Sequence, residues 1–209
     1  MRNSSAIIAN IVLFLLPMMV SSNRISIVMA QCLGMTLFVL HLIYVYHFSS
    51  PYPINDDYDM FLGSLINFEE ANGLWNKLIV LFAQHMEHRP AFPRIVALIV
   101  WKITGNCDFR LLILIGNLML FLTWWMISNS IKKLTSFQTI LINIFVVVTL
   151  VGTQSMENIF WATSSLQNYS LIAFSLCAVH FSLKNQFIIS AVFAILAICS
   201  SMAGFLLFL

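Results

Sequence analysis

The chain has 209 residues, 60% of them hydrophobic and 9% charged, and a formal net charge of +2. Its mean hydropathy is +0.92. A soluble domain carries about 25% charged and about 45–50% apolar residues. The composition therefore excludes a soluble globule, a disordered chain, a disulfide scaffold and a nucleic-acid-binding module.

Residues 6–20, AIIANIVLFLLPMMV, form the first apolar run, just behind Met1 and Arg2. Three readings fit it: a short extra span, a helix at the cytoplasmic interface, or the core of a cleaved signal peptide. The second run, 25–48, contains His41 and is long enough to cross the hydrocarbon core as a helix. After a polar segment, 49–110, come four more runs: 111–128, 137–153, 159–183 (which holds His180) and 187–209. Helix is the only open-chain structure that satisfies the backbone in lipid. The expected fold is therefore all-α, a polytopic transmembrane helix bundle. It forms a single membrane domain over 1–209, with 49–110 as a helical extracytoplasmic loop.

Charge sets the expected orientation. Arg24 precedes the second run, Lys132 and Lys133 separate the third and fourth, and Lys184 separates the last two. Basic short loops mark the cytoplasmic side. That places 49–110 and Glu157 outside, together with the other seven acidic residues: Asp56, Asp57, Asp59, Glu69, Glu70, Glu87 and Asp108. Cys32, Cys177 and Cys199 lie in apolar runs, and Cys107 lies in the polar segment. None has paired spacing, so neither a zinc site nor a disulfide framework is supported.

The loop opens with Ser49-Ser50-Pro51-Tyr52-Pro53, whose prolines stop the preceding helix. Asn55 or Asp56 is placed to cap a new helix, with Asp57 and Asp59 in its first turn. Phe61, Leu62, Leu65 and Ile66 form one amphipathic stripe, and Trp75, Leu78, Ile79 and Phe82 a second. Helices are expected near 56–70, 74–84 and 94–104, lying against the membrane surface. The last contains Arg94 and Lys102, is too short to cross comfortably, and should lie parallel to the interface.

Three places could carry chemistry. Asp56-Asp57-Tyr58-Asp59 follows a span, where a carboxylate is either a helix cap or a base or metal ligand facing a lipid headgroup. Gln84-His85-Met86-Glu87-His88-Arg89 gathers two imidazoles, a carboxylate and a guanidinium. The spacing is not that of a zinc helix, whereas Arg and His suit a phosphate. Glu157, in an apolar hairpin, is a second acidic candidate. Trp161 reads as an interfacial anchor, and Gln167 and Asn168 as interhelical glue or cavity lining.

The ordered strings Asn55-Asp56-Asp57-Tyr58, then Gln84-His85-Met86-Glu87-His88-Arg89 with Pro93-Arg94, then Glu157-Asn158 with Trp161 and Gln167 resemble polytopic membrane glycosyltransferases of the GT-C superfamily. The likeness is to bacterial proteins with a QHNEHR-like segment, and it covers the chain from about residue 25 onward. The resemblance implies a polyprenyl-phosphate sugar as donor and a cell-envelope acceptor, used on the outer face of a bacterial inner membrane. It implies that Asp56 or Asp57 acts as general base on the acceptor or helps bind a divalent cation. His85, His88, Arg89 and Arg94 would hold the donor phosphate, and Glu157 would be a second acidic or metal-binding group. Members of the family are much longer, and this chain stops at Leu209 inside an apolar run, so a fragment is expected. A non-enzymatic transporter or flippase, or a polysaccharide-assembly subunit, is the alternative. It would place its polar groups at mid-membrane beside broken helices.

Overall fold

The computed structural model describes residues 24–86, 88–130, 136–152 and 156–208. The apolar run 6–20 and the pair Lys132-Lys133 lie outside the described residues. Helix α1 spans Arg24–Phe48. A π-helical turn, Tyr58–Gly63, leads into α2, Ser64–Glu70. Next come α3, Gly73–Leu81, and α4, Ala91–Thr104. The long α5 spans Phe109–Ser130, α6 spans Ser136–Leu150, and α7 is the short Met156–Phe160. Helix α8 runs Ala162–Leu183 with a π-helical stretch at Ser165–Tyr169. Helix α9 is Phe187–Ser200, followed by a 3-10 segment, Met202–Phe208. The described residues contain no β-strand; one isolated antiparallel bridge pairs His85 with His88.

Among the described residues, three helices are long and apolar enough to cross a membrane: Val28–Phe48, Phe109–Ser130 and Ala162–Leu183. Three expected crossings are shorter than their apolar runs; the first of them, 137–153, yields only the 15-residue helix Ser136–Leu150. Run 187–209 breaks at Ser201, which is extended at φ −157° and ψ 147°. At 1.5 Å per residue, the 14-residue α9 reaches only about 21 Å, against a hydrocarbon core of about 30 Å. Run 159–183 breaks at Trp161, also extended, which separates α7 from α8. Neither break carries a proline or a charge: Thr163, Ser164 and Ser165 follow the first, and Ser200-Ser201 mark the second.

The contacts divide the chain into two compact units, Met1–His41 with Trp124–Gly152, and Leu42–Thr123 with Thr153–Leu209. In the first, Trp124 is the largest fully buried side chain. Its indole occupies the place a Cβ on Gly34 would take, and its ring lies 5.9 Å from that of Phe38. Asn143 joins α5 to α6. Its Oδ1 accepts from Trp124 Nε1 at 3.2 Å and from Ser128 Oγ, and its Nδ2 donates to the Thr139 carbonyl at 2.8 Å. A buried Asn satisfied in this way holds apolar helices together.

In the second unit, Met60, Phe61, Ala91, Leu112, Ala162 and Leu166 are buried. Phe109 N donates to the Pro51 carbonyl at 3.4 Å, and Arg110 Nε to the Ser49 carbonyl at 3.2 Å. The end of α1 and the start of α5 therefore meet. Asn117 Nδ2 donates to the Ile159 carbonyl at 2.9 Å, tying α5 to α7. At Gly116, α5 touches the π-helical stretch of α8, and an added Cβ would lie 2.7 Å from Ser165 Cβ and 2.8 Å from its carbonyl carbon. Gly116→Val is therefore expected to cost about 1–3 kcal/mol by overpacking. Denaturant titration of the purified protein checks this, and Gly63→Ala, which meets only one atom at 3.6 Å, is the control.

Candidate functional site

Asp57 lies at the end of a proline-rich turn. Asn55, at φ 50°, reverses the chain there. The cap position, expected at Asn55 or Asp56, falls instead at Asp57. Asp57 sits at the N-terminus of the π-helical turn but makes no capping bond to it. The carboxylate instead reaches 106 residues along the chain to the start of α8. Its Oδ1 accepts from Thr163 N at 2.9 Å and from Thr163 Oγ1 at 2.6 Å. Its Oδ2 accepts from Ile54 N at 3.1 Å. Asp57 thus caps another helix, where main-chain donors and the helix dipole both favour an anion.

Only 1% of Asp57 is exposed. Burial pushes its pKa above the ordinary aspartate value, and this outweighs the bonds from Thr163, Ile54 and Trp161 that favour the carboxylate. The Trp161 indole N–H is buried and closes no full hydrogen bond. It lies beside the Asp57 carboxyl, close enough to favour its charged form. The Cys107 thiol is pushed up to about 11 by burial and by the charges of Asp57 and Asp108, so it stays protonated at neutral pH. Cys107 also lines a cleft of about 540 Å³, together with Leu65, Ile66, Glu69, Glu70 and Trp101. Asp56 is half-buried, and its carbonyl accepts from Met60 N at 2.8 Å.

The histidine segment is a tight reversal. His85 N donates to the His88 carbonyl at 2.8 Å and His88 N to the His85 carbonyl at 2.9 Å, with Met86 left-handed at φ 49°. Gln84 Nε2 donates to the Met86 carbonyl at 2.8 Å. His88 Nδ1 lies 3.4 Å from Ser201 Oγ, at the break after α9. His85 Nε2 is buried without a hydrogen-bond partner. Arg89 is exposed, and Glu87 lies outside the described residues.

Arg94 is turned inward. Its Nη1 donates to the carbonyls of Val80 at 3.4 Å, Leu81 at 3.3 Å and Ala83, so the guanidinium closes the C-terminal end of α3. Burial lowers its pKa from the usual arginine value. A cation among the last carbonyls of a helix is a structural cap. The phosphate role expected of Arg94 therefore meets a side chain already engaged by main chain.

Glu157 is exposed in the first turn of α7. Its neighbour Asn158 accepts from Ser164 Oγ, and from Asn168 Nδ2 at 3.1 Å, forming a small polar cluster. Gln167 is buried in the π-helical stretch. Among the described residues, no group of three His, Cys, Asp or Glu side chains could hold a metal ion. No described hydrogen bond or ion pair joins Asp56 or Asp57 to His85, His88, Arg89 or Arg94. Sequence reasoning missed Thr163 and Ser201. Trp161-Ala162-Thr163-Ser164 does carry a helix-start signal, since Thr and Ser cluster at N-termini.

The chain matches no family model, no curated protein sequence and no solved structure.

Proposed function

We propose that the chain is the membrane part of a GT-C-type glycosyltransferase in a bacterial inner membrane, multi-pass, with the loop 49–110 outside. It moves a sugar from a polyprenyl-phosphate donor to a cell-envelope acceptor. The observation that carries this reading is Asp57. It is a buried carboxyl with a raised pKa, fixed by Thr163 at the start of a helix long enough to cross a membrane. Sugar transfer from a phosphate needs a base for the acceptor hydroxyl and positive groups for the leaving phosphate. Asp57 takes the first role, with Asp56 beside it and the Trp161 N–H as a further donor. His85, His88 and the exposed Arg89 take the second, and Glu157 stands as a second acidic group. A divalent cation would need ligands beyond the described ones.

The test is transfer from a labelled polyprenyl-phosphate sugar in proteoliposomes, comparing wild type with Asp57→Asn and Arg89→Ala at equal protein level. Loss of about 10²-fold or more is expected for each. Normal transfer by both variants would place the chemistry elsewhere. The second reading, a transporter subunit, draws on the π-helical stretch of α8 and on the buried polar residues Gln167, Ser170, Ser200 and Ser201. It expects no covalent transfer, only movement of the lipid-linked sugar between leaflets.

A further inference from the structure

The cleft of about 540 Å³ beside Cys107 has the usual size of a small-molecule site, about 300–1,000 Å³. Helix α2 contributes Leu65, Ile66, Glu69 and Glu70 to its lining, and α4 contributes Trp101. Gly105, Asn106 and Cys107, just beyond α4, complete it. Two contacts pre-form the walls. Lys102 Nζ lies 2.9 Å from Glu69 Oε1, joining α4 to α2. Thr104 Oγ1 accepts from Asn106 N at 3.2 Å, which holds the turn after α4. The charge of the cleft is one-sided. Both charged residues that line it are acids, and Lys102 answers only Glu69. Among the described residues, Glu70 has no ion-pair or hydrogen-bond partner. Arg110, three residues on from Cys107, is engaged by the Ser49 carbonyl and the Tyr46 ring, 5.0 Å away. The Cys107 thiol, raised by burial and then by the charges of Asp57 and Asp108, records a negative field at that end of the cleft.

We propose that this cleft binds a water-borne organic ammonium ion with an apolar body, its positive group held by Glu70 and the Trp101 ring and its body against Leu65 and Ile66. The proposal stands apart from sugar transfer. A cation is the occupant because one carboxylate of the lining is uncompensated and the field at Cys107 has the same sign. The rim already stabilises one ammonium in this way. Lys102 Nζ sits against Glu69 and 4.2 Å from the centre of the Trp101 ring. A carboxylate beside an aromatic ring is the chemistry that recognises an organic ammonium, the ring through its negative face and the acid through a charge-assisted bond. An apolar body is implied because Leu65 and Ile66 share the lining with those groups. The ion comes from water, since the charged rim is open: Glu69, Glu70 and Lys102 are all exposed.

The test is equilibrium dialysis of radiolabelled benzyltrimethylammonium against the full chain in an uncharged maltoside detergent, corrected for empty micelles. Benzylsulfonate, the same body with the opposite charge, is the control. Saturable binding of the cation is expected, with none of the anion. Glu70→Gln and Trp101→Leu should each weaken binding about 10-fold. Lys102→Met should tighten it several-fold, because it frees Glu69 and uncovers the Trp101 ring. That gain of affinity cannot come from a misfolded variant. Equal binding of cation and anion would overturn the proposal in favour of a merely apolar cleft. Wild-type affinity in Glu70→Gln, weaker binding by Lys102→Met, or no saturable binding of the cation would overturn it as well.

Discussion

Asp57→Ala is expected to destabilise the purified protein by about 3 kcal/mol at neutral pH. It leaves the buried Thr163 N–H and hydroxyl, and the part-buried Ile54 N–H, facing an apolar methyl. The cost is not larger, because burying the charge is itself unfavourable, as the raised pKa records. The pH dependence has a fixed sign. A carboxyl whose pKa is raised on folding binds its proton more tightly in the folded state. Its contribution to stability is therefore complete below the ordinary aspartate range and is lost as pH rises through the raised value. Asp57→Asn, which cannot ionise, should flatten that part of the stability profile. Unfolding of wild type and both variants across acid to neutral pH checks each statement. A wild-type slope that survives in Asp57→Asn would assign it to another group.

Arg94→Met is expected to cost a similar amount, about 3 kcal/mol, since hydrogen bonds from a charged donor are worth about 1.5–3 kcal/mol. Methionine keeps much of the stem's packing but strands the carbonyls of Val80, Leu81 and Ala83. The loss should be local as well as global. Amide exchange is expected to accelerate through the last turn of α3 and the His85–His88 reversal, while α5 and α8 remain protected. Arg94→Lys should recover part of the loss, because an ammonium can reach one or two carbonyls but lacks the fork. Unchanged exchange in 78–86 would show that the cap is not what holds this end of α3.

Much of the helical layout is legible in the sequence because it rests on composition and breakers. Helix α1 ends at the Ser49-Ser50-Pro51 stop, and α5 occupies its apolar run with two residues added at each end. The three loop helices fall within about three residues of the stripes that predicted them. Two features were not legible. The breaks at Trp161 and Ser201 carry no proline or charge, and the Thr and Ser residues beside them fit a continuing helix as well as an interrupted one, so only tertiary packing fixes an extended residue. The candidate site was half legible. Asp57 stands out as an acid after a span, but its partner Thr163 is separated from it by 106 residues and no local period links the two. Arg94 shows the opposite failure. A guanidinium in a basic string suits phosphate by its chemistry, yet the fold points it at the end of a neighbouring helix. Propensity cannot register that, because the carbonyls it meets belong to main chain and have no residue signature.

In the proposed sugar transfer Asp57 supplies the base, its proton affinity raised by burial and tempered by Thr163. The most direct measurement is the pH–rate profile of transfer from a polyprenyl-phosphate sugar, taken for wild type and for Thr163→Val. A base works ionised, so the rate should rise with pH along a limb placed above the ordinary aspartate range, as burial dictates. Removing the Thr163 hydroxyl removes a bond that favours the carboxylate, so the limb should move to higher pH in Thr163→Val while the plateau rate is largely kept. A limb at the same pH in both proteins, or transfer by Asp57→Asn at the wild-type rate, would contradict the account.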